Sequence, residues 1–543
     1  MQNLRSSSIA LVVLTLVWGG SVFAQTNDNR TAEDNSPAIG YSLCQPVIGL
    51  SPQIPCTFWG IHVNKPADYP VQVPYGQWRA WDNGGEWPEI APVQIQNYHL
   101  LDPNFNWTTL DSALANVLSQ AEVNNVLYTL SRTPPWAVTA TQRNDSRCNY
   151  YDQGPQDHGE CYPPVDLNPN GTGTDAIWRT WVAAIAYHVN TNYPNAHIKY
   201  WEPWNEFHRS TIIENWSGSL SFQGTYDQLL RMTEDANCII TGKVTMISAT
   251  HESCSSVLAL FTPKLSGSID PNAVIVMPST GVDGTLSGGS LNAAANFLYC
   301  DANPKAACDF PGKGAKAVDV INVHLYTDPT NNLKPEDFLT TSIPAYRNQV
   351  LQLAELEKPF WSGEGSWADT SNAKNNWKDV YAQAGFIPRY FGSLWSASVG
   401  QLFWYGYDYG TINGGTGALF DQDTQKLLQP QANAWILTYN WLSGATPLNT
   451  PFCEISSQGP TIYECDFTKP NGYRARLVWD WSADGFPEQC SSTPNPIVCG
   501  STPYSVAAPY IYWVDLAGVV HPLEVARTIS IGANPVLLEN QLQ

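Results

Sequence analysis

From about residue 55 to residue 442, short apolar runs alternate with segments whose apolar residues recur at helical spacing. That alternation constrains the fold more than anything else in the chain, because strand and helix in strict turn build a parallel sheet covered by helices. The runs at 58–63, 78–81, 126–130, 197–201, 318–325, 360–363 and 401–405 read as strands. Leu110, Leu114, Val117 and Leu118 mark one helix, Ile177, Trp178, Trp181, Ile185 and Val189 a second, and 430–442 closes the series. His188 shares the face of the second helix and reads as a core or flanking histidine. Two runs compete for the fifth strand, 244–248 and 274–277. The turn Asp270-Pro271-Asn272 before the latter and Pro278 after it favour 274–277. Eight strand–helix units predict a (β/α)8 TIM barrel over residues 41–442.

After residue 443 the helices cease. Alternating or apolar runs at 462–466, 475–481, 510–514 and 519–523 are separated by Asn471-Gly472, Asp484-Gly485 and Ala517-Gly518. This predicts a C-terminal antiparallel β-sandwich over 443–543. No linker precedes it, so a cap packed on the barrel is expected rather than a tethered sugar-binding module.

The amino terminus predicts export. Arg5, an apolar stretch at 9–18 and small residues up to Ala24 form a signal peptide over 1–24, too short to span a bilayer. Residues 25–40 read as a flexible leader. Twelve cysteines fall as near neighbours (44/56, 148/161, 238/254, 300/308, 453/465, 490/499). Connectivity is not readable from spacing alone, but six local loops are the simplest arrangement. No CxxC pair occurs and histidine does not cluster with cysteine, so no metal and no cofactor is expected. The sequons at Asn29, Asn106, Asn144, Asn170 and Asn215 matter only in a eukaryotic host. A net charge of −21 excludes nucleic acid and anionic membranes as partners. It weighs against a polyanionic substrate too, unless a local basic pocket overrides it.

Glu206 and Glu364 are the candidate catalytic pair. Glu206 stands in Tyr200-Trp201-Glu202-Pro203-Trp204-Asn205-Glu206-Phe207, and Glu364 in Phe360-Trp361-Ser362-Gly363-Glu364-Gly365-Ser366-Trp367. Both follow apolar runs and are ringed by tryptophan, of which the chain has 22. Indole faces suit the apolar C–H side of sugars. Glycosidic bond cleavage needs one carboxylic acid to protonate the leaving oxygen and one carboxylate to meet the developing cation. Strands four and seven face each other across a barrel mouth, which sets these two glutamates on opposite sides of one sugar. Glu202 is a weaker competitor because no asparagine precedes it. Trp136, in Thr133-Pro134-Pro135-Trp136, is either a rim platform for sugar or a loop-packing residue. Asp82 and Asp408 near strand ends carry no assigned role.

Trp204-Asn205-Glu206 resembles the acid/base motif after strand four of clan A glycoside hydrolases, and Glu364 resembles that clan's nucleophile. The resemblance extends to Arg79 on strand two, His324 and Tyr326 on strand six, and Trp404 on strand eight. It covers about residues 55–440 and looks most like family 39 and its relatives. One departure is that Phe207 and His208 follow Glu206 where family 39 usually continues with proline. The resemblance implies that Arg79 lies against the nucleophile, that His324 and Tyr326 line the sugar site, and that Trp404 lies under the sugar. Aromatic burial should raise the pKa of Glu206, Arg79 and Tyr326 should stabilise ionised Glu364, and Asn205 should reach the sugar 2-hydroxyl. The expected protein is a secreted retaining hydrolase of a neutral β-linked polysaccharide or oligosaccharide. The alternatives are a non-catalytic carbohydrate-binding barrel and a transglycosylase using the same residues.

Overall fold

The computed structural model describes residues 47 and 49–542, except 120–122, 124, 149–158, 194–197, 284–288, 302, 328–332, 352–357, 371–376, 412–413 and 483–488. The expected signal peptide and leader lie outside the described residues, as does Cys44.

Nine parallel strands line the barrel: β1 (Trp59–His62), β2 (Gln77–Ala80), β3 (Asn125–Thr129), β4 (Ile198–Glu202), β5 (Val274–Ile275), β6 (Thr280–Asp283), β7 (Ile321–Tyr326), β8 (Phe360–Gly365) and β9 (Gln401–Trp404). Their order is β5-β4-β3-β2-β1-β9-β8-β7-β6. β5 pairs with β4 and β6 with β7, while Val276 bridges to Val320 just before β7. The two are halves of one stave broken around Pro278, so eight staves close the ring. The fifth stave is thus the 274–277 run. The competing 244–248 run carries no strand, only a bridge from Met246 to Ser253.

Period two sorts the strand residues between two layers. Trp59, Ile61, Trp78, Ala80, Val126 and Tyr128 join the large core beneath the helices. Leu127, Tyr200, Val274, Val276, Val320, Trp361 and Phe403 form a separate cluster, the plug of the barrel interior. Strands buried on both faces read as apolar runs rather than alternating ones, as parallel sheets do. The covering helices include α1 (Thr108–Leu118), α2 (Ala176–Asn192), α3 (Tyr226–Ile240), α4 (Gly289–Tyr299), α5 (Val380–Ser396) and α6 (Gln431–Leu442). α3 starts on a capping box, Thr225 accepting from the Gln228 backbone and Gln228 returning the bond. His188 of α2 bonds Asp111 and stacks on Trp107, so it is a flanking residue.

Beyond α6 stand β10 (Thr446–Pro447), β11 (Cys453–Ile455), β12 (Ile462–Lys469), β13 (Tyr473–Asp480), β14 (Thr502–Ser505), β15 (Tyr512–Val514), β16 (Val520–Pro522), β17 (Thr528–Ile531) and β18 (Val536–Glu539). Seven of them form an antiparallel sheet, β10-β12-β13-β18-β15-β16 with β11 also on β12. The ribbon β14–β17 packs against one face, Tyr504, Ile529 and Ile531 meeting Ile462, Val478, Val536 and Leu538. The other face, with Phe467, Ala475, Leu477 and Leu537, merges into the core of the barrel. Disulfides join Cys148–Cys161, Cys238–Cys254, Cys300–Cys308, Cys453–Cys465 and Cys490–Cys499, all near neighbours as expected. Cys56 is also disulfide-bonded. Among the described residues no helix is long and apolar enough to cross a membrane.

Candidate active site

Above the plug, the inward positions turn polar. Arg79 from β2 is fully buried and holds three groups at once. It donates to Glu364 at 2.5 Å, to Glu202 at 2.8 and 3.3 Å, and to the Asn205 side-chain oxygen at 2.8 Å. Glu202 also accepts from Thr129, Asn322 and the Ser279 backbone. With its oxygens saturated in the barrel interior, Glu202 anchors Arg79 and has no route to an acid/base role. Holding the Asn205 oxygen turns the amide NH2 of that residue away from Arg79.

Glu364 reaches the interior through an irregularity. On β8, Trp361 points inward, so simple alternation would send Glu364 outward. The pairing with β7 slips between Val323 and His324, and His324 faces Glu364 instead of Gly363. Such bulges re-aim a side chain next to a site. Gly363 suits the slip because an added methyl would collide with Asn322. The Tyr326 hydroxyl donates to Glu364 at 2.8 Å. Burial, then the Glu364 charge, push that phenol well above its ordinary pKa.

Glu206 sits four residues past β4 in a left-handed conformation, φ 45°. Its backbone N–H donates to the Ser279 hydroxyl at 3.0 Å, and Phe207 N–H donates to the Ser279 carbonyl. The break in the fifth stave therefore cradles the loop that carries Glu206. His324 Nδ1 lies 3.1 Å from Glu206 and 3.3 Å from Glu364. Ligand atoms of these three residues fall within 4.8 Å of one another.

The electrostatics of Glu206 differ from the expected picture. Burial does act to raise its pKa, but Arg209, 2.8 Å away, and His324 overcome it and hold the carboxyl well below the usual range. Sequence reasoning counted the aromatic neighbours and missed a cation one turn further on. His208 in the same loop is buried, and burial lowers it to about 4. Its Nδ1 accepts from the Gly281 backbone at 3.0 Å.

Trp404 stands elsewhere than expected, and Trp136 takes the loop-packing alternative. Trp404 points outward, packed against Trp367, Phe386, Tyr390 and Trp435, with its indole N–H on the Gly417 carbonyl. Phe403 takes the inward position on β9, so the next inward residue is Tyr405. Tyr405 lies tilted against His62 with ring centroids 4.4 Å apart, meets Tyr326 at 6.3 Å and donates to Asp82 at 3.1 Å. Burial and then Arg79 lower His62 to about 3. Counting by twos from Phe403 is the signal that would have found Tyr405. Trp136 gives its N–H to the Ala91 carbonyl and an edge to Trp87, contacts of a loop-packing residue. Structure thus gathers Glu206, Glu364, Asn205, Arg79, His324 and Tyr326 in one network, and leaves Trp404 and Trp136 outside it. A small cavity of about 20 Å³ opens beside Asn205, lined by Trp81, Ser131, Arg132, Glu160 and Trp204.

Glu206, His324 and Glu364 are the one trio among the described residues with cation-ligand spacing. Arg79 and Arg209 already bring two positive charges against those carboxylates, and a further cation would be repelled.

The sequence matches no protein-family model and no curated protein. Among solved structures, a glucosidase from Croceicoccus marinus aligns with TM-score 0.53 and 14% identity, covering 92% of this chain and 98% of that one. CelM2, a bifunctional glucanase-xylanase from a metagenome library, aligns at TM-score 0.48 and 12% identity over 90% and 96% of the two chains. Cel44A, a family 44 endoglucanase from Clostridium thermocellum, aligns at 0.45 and 11% over 90% and 97%. The first of these likenesses shows a shared fold, barrel and C-terminal sheet together.

Proposed function

We propose that this protein is a retaining glycoside hydrolase of a β-linked polysaccharide or its oligomers, with Glu364 as nucleophile and Glu206 as acid/base. The observation that carries the proposal is the meeting of two carboxylates across the barrel mouth, within 4.8 Å at their nearer atoms and bridged by His324. Retaining enzymes hold their carboxyl groups about 5–5.5 Å apart, inverting ones about 6.5–9.5 Å. The wider spacing is the one that makes room for a water between the carboxyl groups.

In the first step Glu364 attacks the anomeric carbon, the glycosidic bond breaks and the leaving oxygen takes the Glu206 proton. Arg79 and Tyr326 hold and aim Glu364 until then. Once Glu364 is esterified its charge is gone. Glu206 then removes a proton from water, which displaces Glu364 and returns both residues to their starting states. The Asn205 amide donates to the sugar 2-hydroxyl, and Tyr405 with Asp82 borders the sugar. Residues 41–442 form the catalytic domain in this reading and 443–543 an accessory one. Five near-neighbour disulfides support an oxidising, extracellular or periplasmic setting.

Glu364→Ala is expected to abolish turnover of every aryl glycoside. Glu206→Ala is expected to release an activated aryl group, accumulate glycosyl-enzyme and regain turnover with azide. Azide rescue of Glu364→Ala with Glu206→Ala dead would exchange the two roles. Turnover unaffected by either change would leave a binding barrel. Activity is also expected to survive exhaustive chelation, and its loss would reveal a required cation.

A further inference from the structure

Arg209 is a strange neighbour for a general acid. A group that must carry a proton is paired with a guanidinium that favours the ionised form. The contact joins Arg209 Nη1 to Glu206 Oε2, while Glu206 Oε1 faces His324. The other groups around Glu206 are His208 on its own loop, Tyr326 on β7 and Glu364 on β8. Unlike these groups, Arg209 is a permanent cation, and it lies 2.8 Å from Glu206.

Two features make the pair exchangeable. The Arg209 backbone is fixed, its N–H on the Glu206 carbonyl and its carbonyl accepting from Ser221, so movement falls to the side chain. That side chain is 22% exposed against 11% for Glu206, so it lies on the solvent side of the pair. Beside it stands half-buried Trp216, whose ring centroid is 5.6 Å from the guanidinium carbon. A cation next to an indole offers a sugar ring a stacking surface and its acidic substituent a partner. Because Glu206 protonates the leaving oxygen, and Arg209 holds Oε2 rather than the Oε1 that faces His324 and the nucleophile, Arg209 falls on the leaving-group side of the bond.

Resting on the hydrolase reading above, we propose that Arg209 and Trp216 form the subsite for an acidic sugar, a uronic acid, on the leaving-group side. Its carboxylate draws Arg209 off Glu206. Glu206 then takes a proton from bulk water and delivers it to the leaving oxygen. Acidic substrate and active acid arrive together, and Arg209 acts as a specificity-determining residue. A net charge of −21 excludes a polyanion from the whole surface but not one carboxylate at one cation.

The test begins with 2,4-dinitrophenyl β-glucoside and β-xyloside, whose leaving groups need no proton. If the wild type releases neither, the hydrolase reading itself fails. With the glycone so chosen, three disaccharides differing only in the leaving sugar are compared from pH 4 to 8: a neutral hexose, its uronic acid and its 6-sulfate. The wild type is expected to favour the uronide by about tenfold or more in kcat/KM, the scale of one charge-assisted hydrogen bond. Arg209→Leu is expected to lose that preference, and on the neutral disaccharide its alkaline limb should move to higher pH. Arg209→Lys, which keeps the charge, should retain part of the preference. Equal kcat/KM for wild type on neutral and acidic sugars, or a preference that survives Arg209→Leu, overturns the inference while the aryl glycosides still report a hydrolase. A preference for the sulfate alone overturns the uronate assignment.

Discussion

Trp404 and Tyr405 are adjacent in sequence but serve opposite sides of the barrel wall, one buried among the rings of α5 and α6 and the other beside Tyr326 and Asp82. Trp404→Ala therefore removes a core ring, with an expected loss of about 3–5 kcal/mol in denaturant titration. Tyr405→Ala should leave stability far closer to wild type and raise KM or lower kcat for every glycoside. Kinetics untouched by Tyr405→Ala would remove it from the sugar site. The two glutamates were readable because each sits in a short, distinctive run of residues. Which way a neighbour points was not, because orientation depends on strand register. On β8 a one-residue slip turns Glu364 inward against simple alternation, and no local residue pattern announces that slip. Arg209 was invisible for a related reason: a left-handed Glu206 folds the loop back so that a residue three positions later meets its carboxylate.

The loop after β4 and the broken fifth stave form one working element, joined by Ser279 and by His208 on Gly281. Its pH response follows from His208. In the unfolded chain that ring takes a proton near 6.5, whereas burial delays protonation to about 4 in the fold. Between those values the unfolded state binds more protons, so stability is lost as pH falls from about 6.5 towards 4. The single group is worth roughly 3 kcal/mol at the acid end. His208→Asn is expected to flatten this limb by that order, read as the change in unfolding free energy between pH 7 and pH 4.5. An unchanged slope would mean that the ring is protonated in the fold. His62, lowered to about 3, adds to the same limb and stays in the variant. At this scale the sequence was informative about which run formed the fifth stave, since Pro278 marks its break. It said nothing of the use of that break, because the contact joins residues 73 positions apart.

Barrel and C-terminal sheet meet through a buried charge. Arg389 on α5 holds Glu336 with two hydrogen bonds, at 2.7 and 2.8 Å, and Trp479 of β13 donates its indole N–H to the same carboxylate at 2.7 Å. Tyr463 of β12 stacks on Trp479, and Asn534 donates to the Tyr381 carbonyl of α5. Gly385 on α5 admits that approach, since an added methyl would overlap the Asn534 side chain. The lack of a linker in the sequence foretold a packed cap, though not the charge at its centre, because Glu336 and Trp479 lie 143 residues apart. A barrel carboxylate capped by an indole of the sheet couples their unfolding: departure of the sheet costs Glu336 a hydrogen bond and opens a buried ion pair to water. Calorimetry of the whole chain is thus expected to show one transition for barrel and sheet together. Glu336→Gln keeps the shape but removes one charge of a buried ion pair, with an expected loss of about 3–5 kcal/mol. Trp479→Phe removes one hydrogen bond to a charged group, with an expected loss of about 1.5–3 kcal/mol. Both variants should lower the single transition without splitting it. Two resolved transitions in the wild type would show that the sheet unfolds independently, and the interface would then be a contact between separate units rather than part of one cooperative core.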